Sequence, residues 1–225
     1  ASLSTGKKST NERQYYLALW KNYLMFACNI TSSFSSNSIK STSHDLSSSP
    51  DSMASERSSE NKSPMTRSNS ASSLFNQALA LIKSEHSDIR NAAIFGLSHI
   101  NSYAVKEFME ELVSYIRDAI DRNKENSRKR KQRDLLRIHL GYLLELLAER
   151  GVFGLTSFSF DRDADGLNNN FVEYIDGIRL YLENENDKEN ATIQEIRMRF
   201  CGFLYHLIRS FSIENRNNLF LRDLR

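Results

Sequence analysis

The sequence predicts an all-α protein made of successive pairs of helices. From position 74 onward the chain contains no proline, and its apolar residues recur three and four positions apart, as on one face of a helix. No run alternates apolar and polar residues for long enough to indicate a strand. The helical stretches come in pairs at a spacing of about 40 residues, which is typical of helical-repeat proteins.

The first predicted helix covers residues 9–28. Ser9 and Glu12 have the spacing of a capping box, in which each side chain bonds to the backbone N–H of the other residue. An apolar face follows, formed by Tyr16, Leu17, Trp20, Leu24 and Cys28. We expect this helix to be part of a preceding repeat and to make up the first segment of the chain, residues 1–30.

A Ser-rich segment covers residues 31–73. Serine occupies 19 of its 43 positions, and both prolines of the chain lie within it. Such a composition cannot bury enough apolar surface to offset the entropy lost on ordering, so we predict a disordered linker. Ser49 and Ser63 precede proline and Ser70 follows an arginine by three positions, which makes all three candidate phosphorylation sites. They are either incidental sites in a linker or sites that regulate it.

The helical body covers residues 74–225. We expect Ser87 to cap the second of its helices and Gly151 to end the fourth in the left-handed conformation. Leu135 and His139 are expected to pack inward from the fourth helix. Helices are predicted at 74–83, 88–100, 103–121, 130–149, 168–184 and 191–210, with a loop over 151–167 and a short helix from position 212.

Residues 86–100 carry the most specific repeat pattern. Their order of Asp88, Arg90 and the paired Ala92 and Ala93 is that of the inner helix of a HEAT repeat, where small side chains let helices approach closely. The predicted fold class is therefore a HEAT/armadillo-like helical-repeat solenoid fragment. Such a stack of paired helices is a surface for holding other proteins and is rarely a place for chemistry.

Composition excludes several classes of function. The formal net charge is only +2, so no global field draws the chain to nucleic acid or to a membrane. No stretch reaches the roughly 20 apolar residues of a membrane helix. Cys28 and Cys201 lie in apolar helical patterns and are predicted to be buried thiols. The chain starts at Ala1 without Met, as expected of a piece of a longer protein.

A basic run precedes and enters the fourth helix of the body. It is unusual because cations at a helix N-terminus oppose the helix dipole. Three interpretations stay open: a solvated helix start, a docking patch for an acidic protein surface, or a nuclear-localisation or nucleic-acid patch. The absence of interleaved aromatics and of a second basic face argues against nucleic acid. The candidate binding residues, inferred from charge, are Lys124, Arg128, Lys129, Arg130, Lys131, Arg133 and Arg137.

Signatures of metal sites and enzymes are missing from the sequence. Residues 161–166 resemble the start of a calcium loop, but its twelfth position is Val172 and the required Glu comes one residue late, at Glu173. We therefore expect a solvated acidic loop. The five histidines lack the partners of a zinc or nucleophile site, and no glycine-rich phosphate loop or nucleophile elbow is present. No catalytic residue, metal or cofactor is predicted.

A series of segments resembles the Furry family of very large cell-morphogenesis scaffold proteins. The resemblance covers most of the chain and is specific as a series, although the Ser-rich segment matches only in composition. The segments are, in order, WKNYL at 20–24, EFMEEL at 107–112, IRDAIDR at 116–122, RDLLRI at 133–138, LELLAERGV at 144–152, EYID at 173–176 and LENENDKE at 182–189.

This resemblance implies a non-enzymatic solenoid that binds NDR (Tricornered-type) kinases and their Mob co-activators. The family acts in polarised cell growth, in neurite and dendrite morphogenesis and in cytoskeletal organisation. It implies a cytoplasmic protein, at the cell cortex, the cytoskeleton or the centrosome. No family motif identifies the binding residues, so the basic run stays the candidate on charge alone. The alternative function is a HEAT-type adaptor that binds nucleic acid or nuclear-transport partners through the same basic residues.

Overall fold

The computed structural model describes residues 4–31, 71–121, 126–155, 167–187 and 189–210, and this part of the chain is helical without a strand. The all-α prediction is thereby confirmed. Short 3₁₀ turns at Leu81–Lys83 and Ser102–Ala104 precede α3 and α4. The helices are α1 Ser4–Ile30, α2 Ala71–Ala80, α3 Ser87–Leu97, α4 Val105–Ile120, α5 Ser127–Glu149, α6 Val152–Leu155, α7 Leu167–Asn184 and α8 Ala191–Ser210.

The helices form two layers. One layer contains α1, α3, α5 and α8, each in contact with the next, and the other contains α2, α4 and α7 in the same way. Neighbours within a layer run in the same direction. Asn76 on α2 donates to Glu111 on α4, and Lys83, just after α2, donates to Asp118 on α4, so both bonds span 35 positions. Each helix in one layer is therefore followed by a reverse helix in the other.

A continuous apolar core lies between the layers. Phe75 of α2 meets Phe108 of α4 edge to face at 5.4 Å between ring centroids. Towards the other end, Phe153 of α6 meets Phe171 of α7 at 4.9 Å. Phe153 is 1% exposed, so the short helix α6 anchors a segment that had been predicted as a loop. Aromatic rings of this size contribute much of the burial that holds the layers together.

Helix α1 packs along α3 and joins this core. Leu24 and Cys28 are buried, and the backbone carbonyl of Cys28 accepts a hydrogen bond from Asn101 N–H at 3.1 Å. The Asn101 side chain also donates to the carbonyl of Asn29 at 2.8 Å. The sequence predicts that this helix belongs to a preceding repeat. In the structure, α1 also contacts the helical body directly.

Several details of the sequence prediction are wrong, among them the end of the predicted linker at residue 73, since α2 begins at Ala71. Ser9 lies inside α1 and does not cap it, since the helix begins at Ser4. Ser87 is the first residue of α3, and the preceding His86 makes no side-chain capping bond. Tyr16 is 65% exposed because α1 turns a different face to α3. Cys201 is exposed on the side of α8 away from α5. Gly151, by contrast, has the expected positive φ of 69°.

Among the described residues, no helix combines the length and the apolarity needed to cross a membrane.

The α1–α3 contact depends on a glycine. A Cβ placed on Gly96 would lie 2.6 Å from two atoms of the Leu24 side chain, which is closer than real carbon atoms approach. We expect Gly96→Ala to lower the free energy of unfolding by about 1–3 kcal/mol through overpacking. Urea denaturation of the variant measures this. Combining it with Leu24→Ala, which removes the clashing atoms, should cost less than the sum of the two single changes.

Thiol labelling provides the local readout for the same variant. Burial raises the pKa of Cys28 to about 12 and hides its thiol, whereas Cys201 is exposed. Gly96→Ala should therefore speed the modification of Cys28 and leave that of Cys201 unchanged. Equal Cys28 labelling rates in the variant and the wild type would contradict the packing described for α1.

Candidate protein-docking surface

The basic run occupies the first turns of α5. Asn126 caps the helix by accepting a hydrogen bond from Lys129 N–H at 3.0 Å, which is why α5 begins at Ser127, before its predicted start. Arg128, Lys129 and Lys131 are exposed, and the described residues offer none of the three an ion-pair partner. These three cations, called the α5 basic patch below, face solvent.

Arg130 lies next to this patch in sequence, and its side chain extends towards the end of α7. Its guanidinium places Nη2 at 2.7 Å from both carboxylate oxygens of Glu185, directly after the C-terminus of α7. The charge of Glu185 and this hydrogen bond raise the pKa of Arg130 above its usual value. Arg130 is thus partly neutralised and ties α5 to α7.

Arg133 ties α5 to the end of α4. Its Nη1 donates to the carbonyl oxygen of Asp121 and its Nη2 to the carboxylate of the same residue, both at 2.9 Å. Only 10% of its side chain is exposed. The arginine therefore caps the C-terminal end of α4, whose last carbonyl groups have no partner within their own helix.

Arg137 is buried, with 4% of its side chain exposed, and it cannot belong to a docking surface as the sequence analysis expected. Its Nε donates to the carbonyl of Ala119 at 2.9 Å and its Nη1 to Asp134 at 2.6 Å. Tyr181 of α7 donates its hydroxyl to the same Asp134 oxygen at 2.7 Å, and its ring lies 3.8 Å below the guanidinium. We call Arg137, Asp134 and Tyr181 the arginine network.

Helix dipoles explain why so many cations begin α5. The C-terminal ends of helices carry partial negative charge, and Arg130, Arg133 and Arg137 all bind at or just beyond the ends of α4 and α7. The unfavourable interaction with the N-terminus of α5 is offset by the favourable one with its neighbours. Among the described cations of the basic run, those of the α5 basic patch are the ones left for an external partner.

Several predicted sites lie outside the described residues. These are Lys124 of the basic run, the possible phosphorylation sites Ser49, Ser63 and Ser70, the acidic loop over 161–166 and the short helix from position 212. The described residues contain no group of three or more His, Cys, Asp or Glu side chains placed to hold a metal ion.

A cavity of about 790 Å³ adjoins the α5 basic patch. Lys129 and Gln132 line it from α5, and Arg90 lines it from α3. His139 lies at its inner wall and is 9% exposed. Burial, followed by the positive charge of Arg90, lowers the pKa of His139 to about 4. The imidazole is therefore neutral at physiological pH, and the cations of the wall are arginine and lysine.

Sequence reasoning missed the acceptors that hold the arginines. Arg130, Asp134 and Arg137 are spaced four and three positions apart, so they share one face of α5 with buried leucines. Charges placed within an apolar face at helical spacing indicate an internal ion network, and this signal was present in the sequence. Tyr181 and Glu185 could not be assigned to it, because their pairing depends on how α7 packs on α5.

The chain matches no protein-family model, and a comparison with solved structures finds no match. The site is therefore described by its own geometry: three exposed cations beside a cavity, on a helix whose other arginines are fixed internally.

The arginine network predicts a large stability effect. Arg137→Met should lower the free energy of unfolding by about 3–5 kcal/mol, because the buried Asp134 would lose its ion pair at 2.6 Å and keep, among the described residues, only the longer ion pair with Arg130 at 3.9 Å. Replacing Asp134 as well, in Asp134→Leu with Arg137→Met, should recover part of the loss. Arg128→Met, at an exposed position, should stay within about 0.5 kcal/mol of wild type. Urea denaturation of all three tests this, and a loss under about 1 kcal/mol for Arg137→Met would contradict the network.

His139 predicts a pH dependence of stability. Between pH 6.5 and pH 4 the unfolded chain binds a proton at this position that the folded chain does not bind, so lowering the pH in this window favours unfolding. In that window the wild type should lose up to about 1.4 kcal/mol per pH unit relative to His139→Gln. Exposed His86→Gln serves as the control and should follow the wild type. Parallel curves of unfolding free energy against pH for the wild type and His139→Gln would refute the lowered pKa of His139.

Proposed function

We propose that this chain is a fragment of a HEAT/armadillo-like solenoid and acts as a non-enzymatic scaffold module for NDR (Tricornered-type) kinase–Mob complexes. The support for the solenoid is the alternation of helices between two layers whose members run parallel. Each reverse pair cannot bury its apolar faces alone and does so by stacking on the next pair, which is the principle of repeat proteins.

The two edge helices support the same proposal. On α1 the side away from α3 presents Tyr16, Tyr23 and Phe26, each at least 63% exposed. On α8, Met198 and Tyr205 are exposed, at 54% and 58%. Exposed apolar stripes of this kind mark interaction sites, and in a solenoid they are the faces on which further helix pairs stack.

The docking proposal rests on one observation: some cations of the basic run are held internally and others are exposed. Arg130, Arg133 and Arg137 are held by neighbouring helices, whereas the α5 basic patch is exposed and without an ion pair among the described residues. A patch of this type attracts an acidic protein surface and speeds encounter. Mob co-activators, which the resemblance to the Furry family implies as partners, present such a surface.

In this proposal the module holds the kinase and its co-activator together and helps to activate them. The process it serves is polarised growth, including neurite and dendrite morphogenesis and the organisation of the cytoskeleton. It acts in the cytoplasm, at the cell cortex, the cytoskeleton or the centrosome. A HEAT-type adaptor for nucleic acid or nuclear transport is the competing function.

Charge reversal tests the docking proposal. Replacing Arg128, Lys129 and Lys131 with Glu should leave the circular dichroism spectrum unchanged, since exposed charges usually contribute under about 0.5 kcal/mol each. The same change should lower the association rate constant for a purified kinase–Mob complex by about tenfold or more, because long-range attraction is replaced by repulsion. Surface plasmon resonance at several salt concentrations measures both the rate and its screening.

The matched control reverses three exposed cations elsewhere, Lys106, Arg117 and Arg209, and so changes the net charge equally. It should bind nearly as the wild type does. Equal association rates for the two charge-reversed variants would contradict docking at the α5 basic patch. Tight binding of duplex DNA by the wild type, lost on reversal of the patch, would favour the adaptor function instead.

A further inference from the structure

Arg90, Leu135 and His139 form a shared wall between two cavities. The first is the cavity of about 790 Å³ beside Lys129, and the second, of about 800 Å³, lies between α1, α3, α5 and α8. The wall stands on α3 and α5, next to the α5 basic patch.

Among the described residues, Arg90 has no counter-charge within ion-pair distance. Its side chain is half-buried, its Nη1 donates to the carbonyl of Ser84 at 2.8 Å, and its Nε is buried without a hydrogen-bond partner. By contrast, Arg133 has carboxylate partners in Asp118 and Asp121, and Arg137 has one in Asp134. A partly desolvated guanidinium in this state favours an external anion.

None of the nearby carboxylates forms an ion pair with Arg90. Asp118, in the first cavity, is bound by Lys83 at 2.7 Å. Asp88, two positions before Arg90, lies 3.8 Å from Arg13 of α1. Glu85, which is exposed, lines the first cavity and Glu195 lines the second, and neither lies within ion-pair distance of Arg90. The wall therefore keeps an excess of positive charge, to which the neighbouring Lys129 adds.

The apolar side chain of Leu135 lines the same two cavities as Arg90. Leu135 is 49% exposed, although the helical pattern of α5 had predicted it to face the core. The core side of α5 is taken by leucines such as Leu136 and Leu140, so Leu135 points along the cavity wall. Exposed leucine next to an unpaired arginine is complementary to an acidic residue adjacent to an apolar one.

We propose that Arg90 and Leu135 form a two-point anchor for a protein segment of the docking partner, with a carboxylate of the segment bound to Arg90 and an apolar side chain packed on Leu135. The proposal rests on the function above and adds to it the chemistry of the bound segment. The α5 basic patch attracts the partner over distance, and the anchor holds it once it has arrived.

Binding kinetics distinguish the long-range attraction by the α5 basic patch from the contact made by the anchor. Arg90→Gln and Arg128→Gln remove the same charge, so both should reduce the association rate for a kinase–Mob complex only slightly. Arg90→Gln should in addition raise the dissociation rate about tenfold or more, because the carboxylate of the partner would be left buried and unpaired. A dissociation rate equal to that of Arg128→Gln, while the wild type binds the complex, would overturn the anchor and leave the docking proposal standing.

Leu135→Ser is the second variant, chosen because an exposed side chain carries little of the folding energy. It should raise the dissociation rate about fivefold, while Leu135→Met should bind as the wild type does. The unfolding midpoint of each variant is measured alongside, so that misfolding is separated from lost contact. An unchanged dissociation rate for a folded Leu135→Ser variant would remove the apolar half of the anchor.

A probe independent of the kinase complex tests the carboxylate site directly. The side-chain Nε–H signal of Arg90 is assigned in nitrogen-15 NMR spectra by its loss in Arg90→Gln. Sodium acetate should shift this signal saturably, and sodium chloride at the same ionic strength should not. Identical responses to the two salts would overturn the anchor. If acetate binds but the wild type fails to bind a kinase–Mob complex, the proposed function fails while the anion site remains.

Discussion

The buried guanidinium of Arg137 joins the two layers of helices through hydrogen bonds. It sits on α5 in one layer and binds the end of α4 and, through Asp134, the hydroxyl of Tyr181 on α7 in the other. Removing these groups from water costs several kcal/mol for each charge, so they are tolerated only because their hydrogen bonds are made. That requirement admits few relative positions of α4, α5 and α7, which gives the network its role in specifying the packing.

The need for internal partners divides the described cations of the basic run into two groups. Arg130 and Arg133 follow Arg137 in binding the ends of neighbouring helices, while Arg128, Lys129 and Lys131 extend into solvent at the first turn. Under the proposed function, a substitution among the internally held arginines acts mainly on stability, and one in the α5 basic patch acts mainly on association with a partner.

Close approach at a small residue is the second constraint on the fold. Gly96 lets Leu24 of α1 pack directly on α3, and Asn101 then ties the end of α1 by two hydrogen bonds. Helix α1 thus becomes the edge of the layer that also contains α5 and the wall formed by Arg90 and Leu135. The candidate docking surface is built across this layer, so its shape depends on contacts between residues that are far apart in sequence.

The sequence by itself determined the long helices, because the helical spacing of apolar residues and a terminating glycine such as Gly151 are local signals. It also identified the helix that carries the basic run. It did not predict the start of α5 at the Asn126 cap or the short helix α6. Only the tertiary structure decided which of those cations have internal partners, since Arg137 contacts Tyr181 on α7 and Arg130 binds Glu185, directly after α7 and 55 positions along the chain. The exposure of Leu135 and Cys201 was likewise decided by packing, because periodicity shows that a residue lies on an apolar face but not which neighbour covers that face.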